Sequence, residues 1–235
     1  MVLKGLEYLH SECHIIHTDL KSDNILIALR DESLLDIIAH DEFKHPLPQK
    51  ILEDWIIYLS QNEFSLQIKG IERSVITDFD LAVHGDVPHL YYHTIQADDY
   101  CAPEIILTAD WSYSADIWNL GLWDLLEKDG VFGVLSPGKM EYMSERHLAH
   151  MIALLGPPPK KLLGQGRETT KYFDHDGAFR YPELIPENVS LVDSLNQIKD
   201  EDKISFLAFI MRMLQWQPEE RSSAKSLACR PMAES

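Results

Sequence analysis

A chain of 235 residues, 45% hydrophobic and 25% charged, has ample material for a buried core in one large domain or two small ones. Its 21 lysines and arginines stand against 38 aspartates and glutamates, a formal charge of −17 that argues against nucleic acid or anionic membrane as a partner and suits a basic one, or serves solubility alone. No run of about 18 apolar residues exists, Met1 is not followed by a signal-type segment, and Cys13, Cys101 and Cys229 lie far apart without a C-x-x-C pair. The expectation is a soluble intracellular protein, cytoplasmic or nuclear, without disulfides or structural zinc.

Leu3, Leu6 and Leu9, with Val2 and Tyr8 beside them, recur at helical spacing and predict a helix ending near His10-Ser11. Ile15-Ile16 then begins a strand-like approach to HTDLKSDN, residues 17–24, where a histidine, an aspartate, a lysine and an asparagine stand at fixed offsets. Ile25-Leu26-Ile27 follows as a short strand ending near Ala28. Residues 30–72 read as an insert with secondary structure of its own. Asp31 or Ser33 can cap a short helix through Leu34, Leu35, Ile37 and Ile38, after which Pro46 and Pro48 break the chain. Residues 55–59 suit either a buried strand or part of a helix starting near Ile51. Phe64, Leu66 and Ile68 alternate with polar residues, which predicts a half-buried strand closing at Gly70.

Val75-Ile76-Thr77 is a buried-strand run, and Asp78-Phe79-Asp80 places a carboxylate just past its end, a good position for binding a metal. Residues 82–100 are polar and aromatic without periodicity. Pro103 fits the first turn of a short helix through Leu107, and Ser114 can cap a helix bearing Asp116 and Gly121. Glycine inside a helix costs about 1 kcal/mol against alanine, which points to close backbone packing at Gly121. Residues 128–143 read as loop. Ser144 can cap a helix with Leu148, Met151, Ile152 and Leu155 inside it, ended by Gly156 and Pro157-Pro158-Pro159. Residues 160–199 look irregular. Asp200 is expected to cap the last long helix, with Glu201 and Asp202 in its first turn and Ile204, Leu207, Met211 and Leu214 as its core stripe. Gln217-Pro218 ends it, and Arg221 precedes a short helix capped by Ser222 or Ser223.

Residues 17–24 are close to H-R-D-L-x-x-x-N, the catalytic loop of protein kinases, with Thr18 in the arginine position. Asp78-Phe79-Asp80 resembles the kinase D-F-G element with Asp80 for glycine, Ala102-Pro103-Glu104 matches A-P-E, and Asp116–Gly121 matches D-x-W-x-x-G. The elements stand in kinase order, so the chain resembles eukaryotic-type protein kinases. It looks most like the SR-protein (serine/arginine-rich protein) kinases and their fungal relatives, by Thr18, the long insert, Ile95-Gln96 with Tyr100, MIALLGPPP at 151–159 and MLQWQPEERSSA at 213–224. The resemblance covers residues 1–230 and leaves 231–235 as a tail. It implies a kinase carboxyl-terminal lobe, mainly α with small β hairpins, with the insert at about 30–72. No glycine-rich G-x-G-x-x-G loop occurs, and Gly164-Gln165-Gly166 lacks the third glycine, so the amino-terminal lobe is expected to be absent and an apolar inter-lobe face exposed.

By this resemblance Asp19 is the expected base, Lys21 the phosphate contact, and Asn24 and Asp78 the magnesium ligands, with ATP and Mg2+ as cofactors. Phe79 would pack into the core, Asp116 would brace the catalytic-loop backbone, and Glu104 and Arg221 would form a buried ion pair. Lysine two residues after the aspartate is the serine/threonine pattern rather than the tyrosine one. Residues 82–100, ahead of A-P-E, would be the activation segment; without arginine before Asp19, no loop cation awaits its phosphorylation, and activity independent of such phosphorylation is expected. The implied reaction carries the γ-phosphate of ATP to serine in basic, arginine/serine-rich protein segments, which the −17 charge suits. Two other readings stand beside it. One is a catalytically impaired, pseudokinase-like binding module, favoured by Asp80 and the missing lobe. The other is a small-molecule phosphotransferase of the aminoglycoside-kinase type, against which Lys21, A-P-E and D-I-W-N-L-G argue.

Overall fold

Helix α1 (Val2–Ser11) buries Leu6 completely and packs Val2, Leu3 and Leu9 against the core, the stripe its leucine spacing predicts. The computed structural model describes residues 1–28, 33–59, 73–121, 142–187, 189–193, 195 and 198–229. The chain divides into two compact units, one of Met1–Ile25 with Ile76–Ser235 and one of Leu26–Val75.

After α1, His14 takes a left-handed backbone (φ 55°) and turns the chain into β1 (Ile15–Ile16). A single 3-10 turn, Ser22–Asn24, leads into β2 (Ile25–Ile27). Within the second unit, α2 (Ser33–Lys44) runs past the expected end at Ile38, and β3 (Gln49–Ile51) pairs antiparallel with β4 (Ile56–Tyr58). The hairpin decides the open reading at 55–59 in favour of a strand, but an exposed rather than a buried one, with Ile56, Ile57 and Tyr58 all open to solvent. The strand expected at 64–70 lies outside the described residues. β5 (Ser74–Ile76) pairs with β2, and β6 (Val83–His84) pairs antiparallel with β1.

The helical body follows. α3 (Pro103–Ile106) is buried throughout, and α4 (Ser114–Leu120) buries five consecutive side chains from Ala115 to Asn119. A Cβ added at Gly121 would come within 2.9 Å of Leu214, which accounts for the glycine by close approach. α5 (Ser144–Leu155) stops at Gly156, whose φ of 78° suits glycine, ahead of the three prolines. α6 (Lys160–Gln165), α7 (Thr169–Tyr172), α8 (Asp200–Ile210) and α9 (Ala224–Cys229) complete the order.

The result is mainly helical with three two-stranded sheets among the described residues. It departs from expectation in three ways. Residues 160–199, expected to be irregular, contain α6 and α7, which are too short for helical periodicity to register. Ser114, Ser144 and Asp200 are first helical residues rather than caps; Tyr113, Met143 and Lys199 occupy the cap positions without side-chain cap bonds. On α8, Ile204 is 80% exposed, while Phe206 and Ile210 are buried. From Ile204 to Ile210 only Ser205 is polar, so periodicity could not choose the inner face of that stretch. Most of the loop expected at 128–143 lies outside the described residues. No described helix is long and apolar enough to cross a membrane.

Candidate active site

Asp116, fully buried on α4, fixes the loop that carries the candidate residues. Its carboxylate accepts the backbone N–H of His17 (2.8 Å) and of Thr18 (2.9 Å), as well as His10 Nε2 (2.9 Å). Buried amides need such acceptors, and no strand or helix supplies them at this turn. The bracing role expected of Asp116 is therefore what the structure displays.

His17, also buried, holds the loop from the other side. Its Nε2 donates to the Thr77 carbonyl (2.8 Å), and its Nδ1 accepts the Asp19 N–H (3.3 Å). A carbonyl can only accept and an amide N–H only donate, so these partners select the neutral Nε2–H tautomer. Thr18 is left-handed (φ 69°), a strained state for a β-branched residue, and its hydroxyl donates to the Leu81 carbonyl at 2.9 Å. Thr18 is thus a tie between the loop and the segment after Asp80. Replacing it by the arginine of the kinase pattern puts a long cation where exposure is 0%. Thr18→Arg should cost at least about 1–3 kcal/mol from overpacking alone, read as a lowered urea midpoint.

The three remaining loop residues meet directly. Lys21 Nζ donates to Asp19 Oδ2 at 2.7 Å, and Asn24 Nδ2 donates to both the Asp19 carbonyl (2.8 Å) and Oδ2 (3.1 Å). Both protein donors use one carboxylate oxygen, so Asp19 Oδ1 has no partner among the described residues. The same bonds orient the buried Asn24 amide and leave its Oδ1 unpartnered among them. Asp78 adjoins the group through the backbone: the N–H of Thr77, its neighbour, donates to the Asn24 carbonyl at 2.9 Å. The exposed Asp78 side chain contacts none of the other three, and it too has no hydrogen-bond partner among the described residues. A carboxamide oxygen and a carboxylate, both hard donors without protein partners, fit a magnesium ion.

Two expectations about the D-F-G-like triplet change. Phe79 does not enter the core; it is 43% exposed and rests against the His17 ring at 5.1 Å between centroids. Asp80 is not in the left-handed region, which Asp78 occupies instead (φ 65°). The freedom a glycine would give at position 80 goes unused, so the substitution strains nothing there.

Residues 91–102 are pinned by side chains that sequence periodicity could not reveal. Gln96 (φ 72°) donates through Nε2 to Asn119 Oδ1 (2.7 Å) and the Ala115 carbonyl (3.1 Å), and its Oε1 accepts the Ala102 N–H (2.8 Å). Trp111 stacks on Tyr91 at 4.8 Å and donates its indole N–H to the His93 carbonyl. His147 on α5 bonds Tyr142 and the Asp98 backbone; burial, with His150 nearby, pushes it down to about 3 and keeps it neutral. Burial likewise pushes the Cys101 thiol up to about 12, so that thiol is inert.

Beneath them, Glu104 and Arg221 form the expected pair, two parallel bonds of 2.6 Å between side chains with no exposure. Arg221 also donates to the carbonyls of Ser114 and Gln215 and lies over the Trp118 ring.

A family model for the protein kinase domain matches residues 63–232. A serine/threonine protein kinase of Aspergillus fumigatus is 35% identical over 233 residues, 98% of this chain and 55% of its own length. A serine/threonine-protein kinase SRPK of Physarum polycephalum is 30% identical over 95% of this chain and 57% of its own length. The chain therefore spans about half the length of these curated relatives. A crystal structure of a kinase domain superposes with a TM-score of 0.66 at 23% identity, covering 99% of this chain and 63% of that one.

Proposed function

Since this chain belongs to the protein kinase family, we propose that it carries the catalytic-loop part of a serine/threonine phosphotransfer site that moves the γ-phosphate of ATP to serine in basic, arginine/serine-rich protein segments. The observation that carries this reading is the state of Asp19. Lys21 and Asn24 hold its Oδ2, and its Oδ1 stays open to a substrate. Oδ1 accepts the hydrogen bond of the incoming serine hydroxyl, aims its lone pair, and takes its proton as the new P–O bond forms. Lys21 lies beside the group in transfer while it orients Asp19. Asn24 Oδ1 and the Asp78 carboxylate would hold magnesium, which would supply charge neutralisation on the phosphate oxygens.

The finer parts rest on different supports. Arginine/serine-rich substrates are favoured by the −17 charge and by the likeness to a kinase named SRPK. Assignment to a carboxyl-terminal lobe is supported by Phe79 and Leu81, apolar yet 43% and 61% exposed beside Asp78.

The test is transfer of labelled phosphate from Mg-ATP to an arginine/serine peptide by a chimera that sets a kinase amino-terminal lobe ahead of residue 1. Transfer that falls when the arginines become glutamates supports the reading, and no transfer overturns it. Phosphatase treatment beforehand should leave the rate within about two-fold, because Gln96 already supplies the tie a phosphate would make. Gln96→Ala, which orphans the buried Ala102 N–H, should lower kcat/KM by about ten-fold, matching the roughly 1–3 kcal/mol of an unmade buried bond.

A further inference from the structure

The stretch 91–93 is pinned twice: from inside by Trp111, and from outside by a residue about 75 positions later in the chain, on the turn between α6 and α7. We infer that Arg167 is a positioning residue, a built-in cation that clamps residues 91–93 to the 107–110 turn and so holds the peptide-binding side of the site ready without a phosphate. This rests on the kinase reading above.

Four contacts converge on Arg167. Its guanidinium lies over the Tyr92 ring at 4.5 Å from the centroid, Nη2 pairs with Asp110 Oδ1 at 2.9 Å, and Nη1 and the backbone N–H both donate to the Thr108 carbonyl, at 3.0 and 3.3 Å. The backbone on either side is built for this. Thr108 is left-handed (φ 54°), which ends α3, and the Glu168 N–H donates to the Leu107 carbonyl at 3.0 Å. A Cβ on Gly166 would come within 2.8 Å of that same Leu107 oxygen, so only glycine lets the turn approach this closely.

An exposed ion pair alone holds little, because water and salt screen it and two long side chains must be ordered to make it. Arg167 differs in that its backbone is already fixed to 107–108. Its planar guanidinium is also shared among a carboxylate, a carbonyl and a ring face, a combination lysine cannot reproduce. Tyr92 is 55% exposed and is followed by His93, whose carbonyl takes the Trp111 indole N–H, so holding Tyr92 limits the freedom of its neighbours on both sides.

Amide hydrogen exchange on the full chain reads the clamp directly. Arg167→Ala should raise exchange in peptides covering 88–96 by about ten-fold, with α8 unchanged, since local opening there needs no global unfolding. Arg167→Lys should fall between, and Tyr92→Leu, which removes the ring and leaves the Arg167 backbone contacts, should open the same peptides. In the chimera, Arg167→Ala should raise the peptide KM by about ten-fold with kcat within about two-fold, the signature of lost ground-state positioning. Unchanged exchange at 88–96 in both Arg167→Ala and Tyr92→Leu overturns the clamp whatever the activity. Opened exchange in a chimera whose wild type transfers no phosphate keeps the clamp and overturns the kinase reading instead.

Discussion

Asp19→Asn in the chimera should lower kcat by on the order of 10²–10⁴-fold while the KM for ATP moves little, the range expected when a positioned general base is lost. The geometry explains why so small a change suffices. Lys21 and Asn24 both donate to Oδ2, so a carboxamide at this position turns its oxygen toward them and its NH2 outward. A donor then faces the serine hydroxyl where an acceptor stood. Volume, burial and backbone bonds are retained, so the melting temperature of the variant should stay close to that of the wild type. Stopped-flow or quench-flow measurement of the phosphotransfer step separates this loss from slow product release. A kcat within a few-fold of wild type would remove Asp19 from the chemistry.

Arg221→Ala should lower the stability of the chain by about 3–5 kcal/mol, as should Glu104→Ala, because each leaves a fully buried charge without its counter-ion. Arg221 also satisfies the Ser114 and Gln215 carbonyls, so its loss orphans two further acceptors. The informative comparison is the double variant Glu104→Leu with Arg221→Met. With both charges gone, no uncompensated ion remains, and the combined loss in urea denaturation should be smaller than the sum of the losses of Glu104→Leu and Arg221→Met measured singly. Additive losses would mean that the pair is not coupled and that the two 2.6 Å bonds contribute no mutual stabilisation.

The sequence made legible those parts of the fold in which one residue type has one physical job. Leu3, Leu6 and Leu9 could serve only an apolar stripe, and Gly156 before three prolines could only end α5, whereas the Glu104–Arg221 pair, 117 positions apart, was legible only through the family resemblance. The meeting of Asp19, Lys21 and Asn24 was legible because it is local, all three lying within six residues. What stayed hidden depends on distant chain. Gln96 carries no pattern that announces a three-way bond, and Arg167 looks like any surface arginine until Gly166 brings its turn against Leu107. Phe79 and Ile204 went the other way. Their apolar character said core, but what covers a side chain is set by packing geometry rather than by its own chemistry.

The bonds from Asp116 to His17 and Thr18 span 99 and 98 positions of chain, and the Arg221 bond to Glu104 spans 117. During synthesis at about 5–20 residues per second, the loop bearing Asp19 is translated on the order of 5–20 s before its brace. Throughout that interval water must serve the His17 and Thr18 amides, the loop cannot be buried without leaving them unpaired, and helix α3 then waits a comparable time for its guanidinium. The newborn polypeptide is therefore open to chaperones and proteases until Arg221 has emerged, and a premature stop before Arg221 deletes the far anchor of a region already made.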